Sequence, residues 1–149
     1  MDDLVIRRAT AEDVPAIVAM LADDPLDAER ESPGDPAYAA AFAEIDADPR
    51  QYLAVAVAGG AVVGTLQLTF IPGLSRRGAT RALIEAVRVR TGHRGGGLGR
   101  RLAEWAIATS RDRGAAMVQL TTDASRADAH RFYERLGFLK SHEGFKLYL

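Results

Sequence analysis

Hydrophobic positions change period several times along the chain, and each change marks an element. LVIRRA (4–9) reads as a short first strand. Thr10 then stands where a helix N-cap belongs, with Asp13 three residues on as a capping-box partner. Val14, Ile17, Val18 and Leu21 follow at helical spacing. The Pro-, Gly- and acid-rich stretch 23–36 reads as a loop. Asp35 and Pro36 open a second helix, which AYAAAFAEI continues. Two apolar runs, 51–58 and 61–71, flank Gly59 and Gly60, which supply the positive φ angles of a tight hairpin turn. A longer turn over 72–79 leads into a strand over 80–90, where Val87 and Val89 point one way and Arg88 and Arg90 the other. Leu98, Leu102, Trp105 and Ala106 share one face of a helix over 98–113, stopped by Gly114. The apolar start of 116–122 predicts a buried strand. Ser125 with Asp128 resembles a capping box for a last helix, whose apolar face is Ala129, Phe132, Tyr133 and Leu136 and whose C′ glycine is Gly137. FLKS (138–141) and GFKLYL (144–149) read as the final strands.

The order is therefore β-α-α-β-β-β-α-β-α-β-β. It predicts an α/β protein in the broad sense, with a mixed, mostly antiparallel sheet flanked by helices. No linker or repeat divides the chain, so residues 1–149 are expected to form a single domain. Composition, 48% hydrophobic and 26% charged, agrees with a soluble globular protein. The longest apolar runs fall short of a membrane span, and the charged N-terminus does not read as an export signal. There is no Cys, which fits a cytoplasmic protein and excludes thiolate metal sites and Cys nucleophiles. Three scattered His form no metal-ligating pattern, and His93 and His130 are expected to face solvent.

Charge adds one feature to this picture. Residues 1–75 carry four basic and thirteen acidic side chains, residues 76–149 fifteen and seven. The asymmetry points to an anion site in the second half and suggests a cation site in the first, in the acidic segment holding Asp23, Asp24, Asp27, Glu29 and Glu31. Two solvated faces would give the same count.

The anion site has a candidate in VRVRTGHRGGGLGRRL (87–102). A strand, a glycine loop and a helix start bring free N–H groups and the positive end of a helix dipole to one place. The dinucleotide fingerprint G-x-G-x-x-G fails in both registers, because Arg100 or Leu102 stands where the last glycine belongs. The P-loop fails because no Lys followed by Ser or Thr closes the loop. The pattern [Gln/Arg]-x-x-G-x-[Gly/Ala] does fit, with Arg94, Gly97 and Gly99 at its fixed places. Some 30 residues on, DAHRFYERLGF (128–138) resembles A-x-x-x-Y-x-x-x-G-F. With these two blocks and the element order, the chain resembles the GNAT superfamily of N-acetyltransferases over essentially its whole length.

The resemblance implies acetyl-CoA as co-substrate, no metal, and direct transfer of the acetyl group to a primary amine. In its terms Gly95, Gly97, Gly99 and Arg100 offer backbone N–H groups to the coenzyme pyrophosphate, and Arg94 and Arg100 add charge. The backbones of Val87 and Val89 pair with the pantetheine arm, and the Val89 N–H polarises the thioester carbonyl. Tyr133 is the candidate general acid for the departing thiolate, since a phenol titrates near 10 and a thiol near 8.5. Glu85, a carboxylate on the otherwise apolar ALIEAV, is the candidate general base, acting directly or through water, with burial expected to raise its pKa. Family members often carry an Asn near the start of the Tyr-bearing helix. Ser125 and Arg126 stand there instead, so either Ser125 caps the helix or Arg126 reaches a phosphate.

The acceptor is expected to be a small-molecule or peptide amine, with no nucleic acid and no membrane as partner. A non-catalytic acyl-CoA-binding module is the alternative function, and retention of both Glu85 and Tyr133 argues for the enzyme. The C-terminal strands leave room for a homodimer.

Overall fold

The computed structural model describes residues 3–26 and 28–149, so Asp27 of the acidic segment lies outside the described residues. The chain forms two compact units, Met1–Gln119 and Leu120–Leu149.

In the first unit, β1 (Val5–Arg8), β2 (Gln51–Ala58), β3 (Ala61–Ile71) and β4 (Arg81–Val89) form successive antiparallel neighbours. Gly59 and Gly60, at φ +56 and +76, close the hairpin between β2 and β3, as the dipeptide predicts. β5 (Met117–Leu120) joins beside β4, where the Ala116 N–H donates to the Thr80 C=O at 2.9 Å. It is shorter than expected and half-buried throughout rather than buried.

Helices α1 (Val14–Ala22) and α2 (Ala37–Ala47) cover one face, where Ala9, Ile17 and Val55 pack with Leu21, Phe42 and Leu53. Asp13 closes the entry to α1. Its carboxylate accepts the Thr10 N–H at 2.7 Å and is gripped by Arg7 at 2.7 and 3.1 Å. The predicted capping box is thus present, although a turn of 3₁₀ helix (Ala11–Asp13) precedes α1. Helix α3 (Leu98–Asp112) packs against β3 and β4. Leu66, Leu68, Leu98 and Leu102 are fully buried, each contributing about 1.5–3 kcal/mol. A Cβ on Gly64 would come within 3.0 Å of Leu102 Cδ1, so the bare glycine is what lets α3 lie close to the sheet. Trp105 is half-buried and meets Tyr52 edge-on at 4.9 Å.

The 72–79 connection is tighter than a plain loop. Gly78 N–H donates to Leu74 C=O and Ala79 N–H to Ser75 C=O, while Arg76, Arg77 and Gly78 have φ of 55, 60 and 73°. A left-handed turn of this kind costs non-glycine residues about 1–2 kcal/mol each.

The second unit holds α4 (Ala127–Arg135) and the segment that follows it. Gly137, at φ +100, ends α4 as expected. Two expectations fail here. The N-cap of α4 is Arg126, and Ser125 instead donates its hydroxyl and N–H to Asp123 Oδ1 at 2.6 and 2.9 Å. Asp123 has therefore taken the local hydrogen bonds that a Ser125–Asp128 box would have used. Asp128 pairs with Arg131. FLKS and GFKLYL do not form strands, and the sheet has five strands among the described residues. Their alternation suits a strand, but a strand exists only when its backbone groups are paired, and none here pairs with 138–149. Leu139, Phe145, Leu147 and Tyr148 are accordingly exposed.

Candidate active site

The decisive local feature of the first unit is a bulge in β4. Gln67 lies opposite Glu85, but Thr65 lies opposite Arg88, so β4 advances three residues while β3 advances two. The extra residue is accommodated at Ala86, which takes φ +53. Beyond it, Arg90 N–H donates to Val63 C=O at 2.8 Å. Hydrogen-bonded residues alternate along an antiparallel ladder, so Arg88 and Arg90 face β3 with their backbone groups. Val89 therefore turns its N–H and C=O away from β3. Its C=O accepts Arg94 Nε at 3.0 Å, and the Val87 C=O accepts Arg88 Nη1 at 2.9 Å. The sequence carries a sign of this bulge that the strand assignment over 80–90 missed. Apolar positions run at Ala82 and Ile84, then change phase to Val87 and Val89.

The glycine loop follows directly. Gly95 and Gly97 both adopt φ +82, and a Cβ on either would meet no atom of the chain within 4 Å. Gly97 is the N-cap of α3, and the first bond into the helix runs from Arg101 N–H to Gly97 C=O at 3.1 Å. The N–H groups of Leu98, Gly99 and Arg100 thus lack partners within the helix and point out of its positive end. Gly96 differs. Its φ is not left-handed, and an added Cβ would only touch the His93 C=O at 3.8 Å.

The arginines named from sequence are held in place. Arg94 reaches Asp23 at 3.5 Å as well as the Val89 carbonyl, and Arg100 pairs with Glu104 at 2.6 Å along the exposed side of α3. Asp23 also accepts the Thr91 hydroxyl, and buried Asp24 lies 3.5 Å from Arg88 Nε. These two acids at the end of α1 therefore answer arginines of the other half of the sequence. That leaves them a structural partner in place of the cationic acceptor suggested by charge alone.

Glu85 departs from expectation in one respect. It is exposed, opposite half-buried Gln67 and next to the bulge residue Ala86. The burial expected of this carboxylate is not found. His93 and His130 are half-buried, not exposed, and His130 Nε2 lies 3.1 Å from the Asp123 C=O. No cluster of potential metal ligands occurs among the described residues, and none of their helices is long and apolar enough to cross a membrane.

In the second unit, Tyr133 is half-buried on α4. Its ring meets Phe132 and Phe138 edge-to-face at 5.0 and 5.7 Å, which fixes the phenol on the apolar face. Arg126 stands at the helix entry beside Asp123, whose carboxyl is held below its ordinary range chiefly by the Ser125 hydroxyl.

A strand bulge, a glycine-capped helix and a tyrosine helix in this order bear comparison with known proteins. Residues 15–138 match the Acetyltransferase (GNAT) family. The chain belongs to this family. A relative from Salmonella typhimurium, aminoalkylphosphonate N-acetyltransferase, is 32% identical over 94% of this chain and 88% of its own. Among solved structures, a transcriptional regulator from Bacillus halodurans C-125 is 47% identical, with a TM-score of 0.95 over 98% of this chain and 99% of that one. A Trypanosoma brucei acetyltransferase is 26% identical, with a TM-score of 0.83 over 99% of this chain and 100% of that one. As a GNAT acetyltransferase, the protein has its two sequence blocks at the glycine cradle and at α4, inside the matched residues.

Proposed function

We propose that this GNAT acetyltransferase moves an acetyl group from acetyl-CoA directly to a primary amine, without a covalent enzyme intermediate. The observation that carries the reading is the β4 bulge, which turns the Val89 backbone away from β3 next to the glycine-capped start of α3. The cradle fits a pyrophosphate. Open space lies over Gly95 and Gly97, and unpartnered N–H groups face it. Gly95, Gly97, Gly99 and Arg100 would hold the phosphates through their backbones. Arg94 and Arg126 add positive charge, Arg94 while bound to the Val89 carbonyl. Coenzyme A supplies an acetyl thioester when bound.

The Val87 and Val89 backbones align the pantetheine arm, and the Val89 N–H donates to the carbonyl oxygen as negative charge develops on it. Glu85 takes the ammonium proton, directly or through water, from its exposed position opposite Gln67. Tyr133 donates its phenolic proton to the departing sulfur. The absence of Cys from the sequence supports direct transfer. The family match crosses both compact units, which supports reading residues 1–149 as one domain. Exposed Phe145 and Leu147 support a homodimer, for which sedimentation would report twice the 16.0 kDa chain mass.

Thiol release from acetyl-CoA, followed across a panel of amines, tests the reading. Tyr133→Phe should slow transfer by about 10²–10⁴-fold with the thermal shift from coenzyme A retained. Parental rates in the Phe variant would remove Tyr133 from the acid role.

A further inference from the structure

Between α1, α2 and the sheet lies a cavity of about 120 Å³ that the reaction described above leaves unassigned. Its walls are Val14, Ile17, Leu21, Phe42 and Leu53, and among its described lining residues none carries a charge. It reaches the surface, since Val14, Leu21, Phe42 and Leu53 are only half-buried and Ala41 and Ala86 are exposed. One wall is Ala86, the bulge residue between Glu85 and Val87. The cavity therefore opens on β4 three residues before Val89, whose backbone would hold the acyl carbonyl.

Three polar residues line it, and each directs a donor elsewhere. The Thr65 hydroxyl donates to the Ala54 C=O at 2.8 Å, Gln67 Nε2 to Gln51 Oε1 at 2.8 Å, and the Tyr38 hydroxyl to Glu31 Oε1 at 2.8 Å. A phosphonate or a polyhydroxylated sugar placed here would lose its hydration and find no cation and few donors, which is costly. An apolar group would lose nothing and gain contact. The volume is close to that of an engineered apolar cavity of about 150 Å³ that binds benzene.

We infer that the acceptor is a primary amine carrying a compact apolar group, branched aliphatic or single-ring aromatic, seated in this cavity with its nitrogen at the Ala86 rim. The inference rests on the acetyltransfer reading. It separates this chain from relatives that act on phosphonate-bearing amines.

The test is kcat/KM for methylamine, propylamine, isobutylamine, isopentylamine and benzylamine against 2-aminoethylphosphonate and an aminoglycoside, with the thermal shift from acetyl-CoA measured alongside. The apolar series should rise about fourfold per added methylene until the cavity is full, and exceed both polar acceptors. Ala41→Leu, which fills the cavity from an exposed position on α2, should move the optimum to a shorter amine. Leu21→Ala should move it to a longer one. A flat series, better turnover of the phosphonate or aminoglycoside, or an optimum unmoved in both variants would overturn the inference while the acetyl-CoA shift leaves the wider reading standing. No thermal shift and no thiol release with any amine would overturn both.

Discussion

Gly96 and Gly97 are adjacent and chemically identical, yet the structure predicts opposite outcomes on adding one methyl group. Gly97 sits at φ +82 as the N-cap of α3, with open space where its Cβ would be. Alanine there must hold a left-handed conformation, at a cost of about 1–2 kcal/mol. Gly96 is outside the left-handed region, and its Cβ would make one ordinary contact at 3.8 Å to the His93 C=O. Alanine there mainly narrows the unfolded ensemble, worth about 0.4–1 kcal/mol of added stability. For a chain of this size about 1 kcal/mol moves Tm by about 2–4 °C. Gly97→Ala should therefore melt about 2–8 °C below the parent and Gly96→Ala slightly above it. The ligand response should separate the two further. If the open space over Gly97 receives a pyrophosphate, its methyl group obstructs the ligand and weakens acetyl-CoA by tenfold or more, about 1.4 kcal/mol. Gly96→Ala should bind it like the parent. Differential scanning calorimetry with and without acetyl-CoA, with calorimetric titration for the affinity, measures both quantities. Equal melting and equal affinity in the two variants would refute the assignment of the cradle to Gly97.

Three further outcomes follow from named contacts. The Arg7 guanidinium, acting mainly through its hydrogen bonds, holds the Asp13 carboxyl below the ordinary carboxylate range. A lowered folded pKa contributes stability above the unfolded value, near 4, that is lost as pH falls through the folded value. Asp13→Asn should thus cost about 1–2 kcal/mol at pH 7, with the gap to the parent closing in Tm measurements below about pH 4. Asp24→Ala removes both the carboxylate 3.5 Å from Arg88 Nε and the acceptor of the Leu26 N–H, and denaturant titration should show a loss of about 1–3 kcal/mol. Leu102→Ala should remove about 2–5 kcal/mol by leaving a cavity under α3, a loss that urea unfolding at constant slope would report.

Much of the fold was legible because it rests on local chemistry. Apolar runs bounded by Gly59–Gly60 define β2 and β3 to the residue, and the Leu98–Leu102–Ala106 stripe defines α3. The candidate coenzyme loop was legible for the same reason. Where Arg94, Gly97 and Gly99 fall decides which nucleotide patterns are excluded, and backbone N–H groups at a helix start do not depend on distant contacts.

What the sequence left open depends on pairing between segments far apart in the chain. GFKLYL alternates like a strand, but alternation states only that two faces differ, and the ladder that would make it a strand is absent. Asp23 and Asp24 read as spare negative charge until the fold brings Arg94 and Arg88 to them, some 64 to 71 positions along. Glu85 reads as a buried carboxylate in an apolar run, yet its exposure is set by the register against Gln67 and by the bulge at Ala86. The sequence by itself determined the elements, their order and the glycine cradle, because propensity, turn geometry and capping act within a few residues. Only the tertiary structure decided which carboxylates are neutralised, which way the Val89 backbone points and that an uncharged cavity opens at Ala86, because each follows from register and packing between distant segments.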